Sequence, residues 1–247
     1  MEWWQKPPII EDHDGIAVVR EDLLDGGSKI RFLPYLVEGA REIVYGSPFC
    51  GGAGWALSVW GRRMGVPVTL FYAKRKDLHW RQKAAFLNGA TIYQVPAGRM
   101  TVVQHRARSY AADRGALFLP LGFDLPQASG PFVAVMRRVA ADRREIREVW
   151  CATGSGMLAR CLGQAFPSAR VFGVIVGLRS RNAAQKFPPN VTLLDCRYDF
   201  AERCESPAPF NACAHYEGKA WELLKQRSNA SPPGTILFWS VAGDRQP

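Results

Sequence analysis

The chain of 247 residues is 47% hydrophobic and 22% charged, which is enough apolar matter for a substantial core and unlike a disordered segment. It has no run of about eighteen apolar residues, which excludes an ordinary transmembrane helix, and the opening Met1-Glu2-Trp3-Trp4-Gln5-Lys6 lacks the basic-then-apolar order of a secretory signal. A cytoplasmic globular protein is therefore expected, and its 32 Lys and Arg against 22 Asp and Glu give a formal charge of +10 that favours an anionic partner.

Short apolar runs alternate with amphipathic stretches. In chain order the pattern predicts strands at 16–19 and 42–45, a helix at 51–63, a strand at 66–72, a helix at 78–88, a strand at 90–95 and helices at 102–114 and 131–147. It continues with a strand at 149–152, a helix at 156–166, a strand at 170–176, a loop-rich stretch over 188–211, a helix at 216–227 and a strand at 235–239. Strands separated by helices pair in parallel, so an α/β fold with helices on both sheet faces is expected, its ligand beyond the carboxyl ends of the strands.

Basic residues cluster at Lys74-Arg75-Lys76, Arg137-Arg138, Arg143-Arg144 with Arg147, and Arg179 with Arg181, none of them a long tail. Six cysteines, no two in C-x-x-C spacing, point to reduced thiols and to no structural metal.

The sharpest local signal is Val149-Trp150-Cys151-Ala152-Thr153-Gly154-Ser155-Gly156-Met157, an apolar strand running into a Gly-Ser-Gly turn that opens a helix. Glycines let backbone approach an anion, the free N–H groups and dipole of a helix N-terminus favour a phosphate, and Thr153 and Ser155 add hydroxyl donors. A ligand-free strand–helix turn has the same signature. The spacing Gly154-x-Gly156-x-x-Ala159 also fits a dinucleotide fingerprint, but the next strand ends in Val176-Gly177-Leu178-Arg179 without a ribose-binding carboxylate. The arginine there suits a 2′-phosphate, so an NADP reading stays open as the weaker one.

A lysine follows a glycine pair in Val19-Arg20-Glu21-Asp22-Leu23-Leu24-Asp25-Gly26-Gly27-Ser28-Lys29-Ile30-Arg31. This segment resembles the lysine motif of pyridoxal-phosphate enzymes of fold type II, the tryptophan-synthase-β type. The likeness is greatest to the branch of aminocyclopropane-carboxylate deaminase and D-cysteine desulfhydrase, with Ser28 replacing an Asn. The resemblance extends to Ser47-Pro48-Phe49-Cys50-Gly51-Gly52-Ala53-Gly54, where Cys50 stands in place of the Asn that flanks the cofactor ring. It also covers Tyr216-Glu217-Gly218-Lys219 and the closing Leu237-Phe238-Trp239-Ser240-Val241-Ala242-Gly243, which lacks the family's His and Thr.

The resemblance implies pyridoxal 5′-phosphate as cofactor, carried by Lys29 and touched by Cys50, Thr153, Gly154, Ser155, Gly156, Met157, Glu217 and Ser240. Lys29, Tyr216 and Glu217 would be the catalytic residues, and Ser47, Phe49, Gly51 and Gly52 would meet the substrate. It also implies a larger cofactor-binding domain over 1–43 with 126–247 and a smaller α/β domain over 44–125. The architecture would be parallel sheets flanked by helices, shortened relative to the family, in a homodimer.

The implied activity is that of a lyase acting at the Cα of an amino-acid group. Three readings follow. In the first, the amino acid is attached to thymidine in DNA and is decarboxylated or otherwise processed, as in small, similar bacteriophage enzymes implicated in thymidine hypermodification; the setting would then be the host cytoplasm. In the second, a free small amino acid is deaminated or undergoes β-elimination. In the third, the protein binds the cofactor without catalysis. The +10 charge, the short chain and the altered Cys50 and Val241 positions favour the first.

Overall fold

The computed structural model describes residues 2–96, 98–176, 187–205, 207–227 and 231–244. Arg179 and Arg181, one of the basic clusters, and the strand end at Gly177-Leu178-Arg179 lie outside the described residues. The chain divides into two compact units, Met1–Leu24 with Ser129–Arg245, and Asp25–Ala128. The boundaries expected from the sequence, at 43–44 and 125–126, differ most at the first, where the lysine segment joins the smaller unit. Among the described residues no helix is long and apolar enough to cross a membrane.

The larger unit is built on six strands: β1 (Ile10–His13), β2 (Ile16–Arg20), β7 (Glu148–Thr153), β8 (Arg170–Ile175), β9 (Val191–Asp195) and β10 (Ile236–Ser240). Their order is β1-β2-β10-β7-β8-β9. All neighbours are parallel except β1, which pairs antiparallel with β2 and makes this sheet mixed rather than wholly parallel as expected. The central strands β2, β7 and β10 are buried along their whole length, as continuous apolar runs in a two-sided sheet should be.

Two helices of this unit pack on β7 and β8, α6 (Met157–Ala165) and α7 (Glu217–Arg227). Beneath α7, Trp221 and Leu224 meet Val18, Trp150, Val174 and Phe238 in one apolar cluster. Each such side chain contributes roughly 1.5–3 kcal/mol on burial. The face of β8 that carries Gly173 instead receives α6 through Ala159.

The smaller unit carries a four-stranded parallel sheet of order β5-β4-β3-β6: β3 (Ile43–Gly46), β4 (Val68–Ala73), β5 (Thr91–Val95) and β6 (Leu117–Leu119). Its helices are α1 (Leu33–Val37), α2 (Gly52–Met64), α3 (Trp80–Leu87) and α4 (Met100–Arg114). Helix α4 buries Val103, Ala107 and Ala111 against Val44, Phe71 and Val95. The long α5 (Pro126–Asp142) runs across the division between the units. It starts five residues before the predicted position and holds Pro131 in its interior, where the sequence pattern predicts the first turn.

Candidate active site

Every strand of the larger sheet except β1 points its carboxyl end to one edge. Register places Ser240 beside Arg20 there, and Trp239 beside Cys151, two residues before the end of β7. Past Thr153 the chain turns through Gly154-Ser155-Gly156 into α6. Gly156, the N-cap, is in the left-handed region at φ 87° and, having no side chain, offers no capping bond to the first N–H groups of α6. Thr153 is buried, and its hydroxyl lies 3.8 Å from Cys151 Sγ.

Because α7 leads back into β10 over a parallel sheet, its N-terminus sits at the same carboxyl edge. Glu217, its first residue, is buried. Tyr216 precedes it, and the ring's Cε1 is 3.7 Å from where a Cβ on Gly154 would stand, so the Tyr-Glu pair and the glycine turn are neighbours. The approach to α7 is pinned by two residues outside every sequence motif. Asp244 accepts from the Ala214 N–H at 2.9 Å, and Asn211 Oδ1 accepts from the Asp244 N–H at 2.9 Å. No local pattern announces either residue. Lys219, the other charged residue of the Tyr-Glu-Gly-Lys run, is buried and donates to the Asp199 carbonyl at 2.8 Å, a structural role.

The lysine segment starts in the larger unit. Arg20 makes a two-bond grip on Asp22, both bonds at 2.8 Å, and also pairs with Glu11, tying the end of β2 to β1. The Arg-Glu-Asp part of the motif is thus a strand-end clamp. In the smaller unit, Gly26 (φ 89°) and Gly27 (φ 71°) turn the chain into a short 3-10 stretch, Ser28–Arg31. A Cβ on Gly26 would fall 2.5 Å from Ile30 Cγ1, so a side chain there is excluded by space as well as by φ. Lys29 is half-buried, with Nζ 5.4 Å from the centroid of the Phe123 ring.

The predicted substrate loop follows β3. Ser47 is fully buried and donates to the Pro48 carbonyl at 3.1 Å, while Cys50 is buried and Gly51 caps α2, whose first residue is Gly52. Phe49 lies under the Arg75 guanidinium, 3.7 Å from ring centroid to Cζ. The buried Arg81 donates from Nη1 to the Cys50 carbonyl at 2.6 Å, a grip that no sequence pattern indicates.

The predicted residues therefore fall into two sets. Thr153 to Met157, Tyr216, Glu217 and Ser240 share one edge of the larger unit, and Lys29, Ser47, Phe49, Cys50, Gly51 and Gly52 belong to the smaller. The larger unit's set fits a phosphorylated pyridine ring. The N-cap of α6 is a glycine with no side chain to offer its N–H groups, and the buried Ser240 hydroxyl has no hydrogen-bond partner among the described residues, which is a costly arrangement unless a ligand supplies one.

No family model matches the chain. Among solved structures, an ACC deaminase homologue superposes with a TM-score of 0.84 at 16% identity, covering 99% of this chain and 91% of that one. The fold is that of the fold-type II pyridoxal-phosphate enzymes. O-ureido-L-serine synthase (TM-score 0.73, 16% identity, 96% of this chain and 88% of that one) and the T.th. threonine deaminase (0.71, 14%, 97% and 92%) share it. Against these structures the shortening expected from the sequence is modest. One curated relative, the glycyl-dTMP PLP-dependent decarboxylase of Pseudomonas phage M6, is 24% identical over 259 residues, covering 92% of this chain and 93% of its own length.

Proposed function

We propose that this fold-type II protein is a pyridoxal-phosphate-dependent lyase that removes carbon dioxide from an amino-acid group attached to thymidine, working in the cytoplasm. The observation that carries the reading is the near full-length likeness to the phage glycyl-dTMP decarboxylase, in a chain that carries Lys29, the Thr153–Met157 turn and the buried Glu217.

When bound, pyridoxal phosphate supplies an electron sink that weakens the bonds at the substrate's Cα. The N–H groups at the start of α6, with the Thr153 and Ser155 hydroxyls, would hold its phosphate. The Glu217 carboxylate and the Ser240 hydroxyl would serve the ring nitrogen, where an acidic partner would retain a proton and strengthen the electron pull. Lys29 would carry the cofactor and, when not attached to it, would hold or move a proton. With the cofactor bound, Lys29 would be the group that returns a proton to the Cα from which carbon dioxide leaves. Tyr216, packed beside Gly154, is the second proton carrier.

The test offers the loaded protein glycyl-dTMP, DNA containing the same modified nucleotide, and a panel of free amino acids, and weighs the products. Loss of carbon dioxide from either thymidine substrate is the expected result. Turnover of aminocyclopropane-carboxylate or D-cysteine with the thymidine substrates untouched would assign the protein to the deaminase-like reading, which the ACC deaminase-like fold favours.

A further inference from the structure

The positive charge is concentrated in one unit. The smaller unit holds fourteen Lys and Arg against six Asp and Glu, and so accounts for eight of the ten surplus charges. Within that unit the charge is also polarised along the sheet. At the amino edge, Arg41, Arg62, Arg63 and Arg114 are matched by Asp25, Glu38, Glu42 and Asp113, and Arg63 pairs with Asp25 at 2.8 Å. At the carboxyl edge, the loops after β4 and β5 carry Lys74, Arg75, Lys76 and Arg99 against only Asp77, and the loop after β6 adds Asp124.

These four cations are exposed, and among the described residues none has an acidic partner within 4.0 Å. Their two loops are joined. The Lys74 N–H donates to the Val95 carbonyl at 2.8 Å, and Gly98 packs so closely that a Cβ on it would stand 3.3 Å from Ala73 Cα. Because the sheet is parallel, this edge also carries the Ser47–Gly52 loop, and the stack of Arg75 on Phe49 connects the basic loop to it directly.

We infer that the Lys74–Lys76 loop together with Arg99 is a docking surface for the phosphate backbone of duplex DNA, which brings the thymidine-linked substrate in as polymer rather than as free nucleotide. This rests on the thymidine reading above and adds the form of the substrate and the surface that holds it. Exposed cations without acidic partners attract a polyanion by releasing its condensed counterions, and they bind without reading sequence. Arg75, already committed to Phe49, would link the docked backbone to the substrate loop.

The test measures binding of the full-length, cofactor-loaded protein to unmodified duplex DNA by fluorescence anisotropy across a salt series. It compares K74A/K76A/R99A with a charge-matched control on the larger unit, R137A/R138A/R144A, whose residues are likewise exposed. Lys76→Glu alone serves as a second variant, and circular dichroism checks that each is folded. The loop variant should bind at least tenfold more weakly, with a salt slope smaller by roughly 0.9 for each phosphate it no longer neutralises, while the control stays within threefold of the parent. Equal weakening in both triple variants would overturn the inference by making the surplus nonspecific. Displacement of the duplex by dTMP at equal nucleotide concentration would overturn it by showing a single-phosphate site. Failure of the parent to bind the duplex while it decarboxylates glycyl-dTMP would overturn it and leave the proposed function standing.

Discussion

A Cβ added to Gly173 would stand 2.6 Å from Thr153 Oγ1. It would also lie 2.9 Å from Leu193 Cδ2 and 3.2 Å from Ala159 Cβ. A glycine in the middle of β8 therefore lets α6 and the end of β7 close over the sheet, and the Gly154-Ser155-Gly156 turn inherits its position from that approach. Gly173→Ala should overpack this junction at a cost of about 1–3 kcal/mol. A lower melting temperature together with weaker pyridoxal phosphate binding in an absorbance titration is the expected pair of results. An unchanged affinity would show that the turn does not depend on β8.

Lys29→Ala should abolish the visible absorption band of the loaded protein and its removal by borohydride, with little change in the melting temperature of the cofactor-free protein. The side chain is half-buried, and the turn that places it is set by Gly26 and Gly27 rather than by Lys29. Peptide mapping after borohydride treatment of the parent should find the adduct on Lys29. Recovery of the adduct at Lys74 or Lys219 would refute the assignment. Lys219 is a poor alternative because the Asp199 and Phe200 carbonyls already hold it.

Much of the fold is legible in the sequence because the strands that matter are apolar throughout. The buried strands β2, β3, β4, β7 and β10 stand out as continuous hydrophobic runs, and the Gly-Ser-Gly turn is local by nature. The elements that escape share a cause. Strand β1 reads Ile-Glu-Asp-His at a sheet edge, β6 has three residues and α1 five, all too short or too polar for periodicity to register. Strand β9 sits at the other edge with no fully buried residue, so Val191–Asp195 is submerged in a stretch that reads as loop. In the site, residues inside motifs are visible from the sequence. Asn211, Asp244 and Arg81 act through single tertiary hydrogen bonds, and nothing local in the sequence marks such bonds.

Burial pushes the Cys151 thiol up to about 12, against a weaker opposing effect from the Thr153 hydroxyl. In the unfolded chain the same thiol ionises in its ordinary range, so above it the unfolded state binds fewer protons than the folded one. The stability tied to this group is complete below about pH 9 and is lost as pH rises toward 12. Urea midpoints of the parent and of Cys151→Ala, each at pH 8 and pH 11, should show the parent losing more, by something on the order of 2 kcal/mol. Parallel losses would mean that other groups govern the alkaline limit.

Arg81 is buried, and its Nη1 supports the Cys50 carbonyl inside the loop that carries Ser47, Phe49 and Gly51. It acts through the loop's backbone, which makes it a positioning residue. Removing it leaves a buried carbonyl without its charged donor, a loss of about 1.5–3 kcal/mol for a charge-assisted bond. That loss falls on the geometry of the Ser47–Gly52 loop, the proposed substrate loop, rather than on the proposed phosphate turn, which belongs to the other unit. Arg81→Ala should therefore raise KM for the thymidine substrate about tenfold or more while kcat changes less and the cofactor's absorption band persists. Arg81→Lys, which keeps the charge and shortens the reach, should recover part of the loss. A fall in kcat alone with KM unchanged would place the effect in the chemical step and contradict the positioning role.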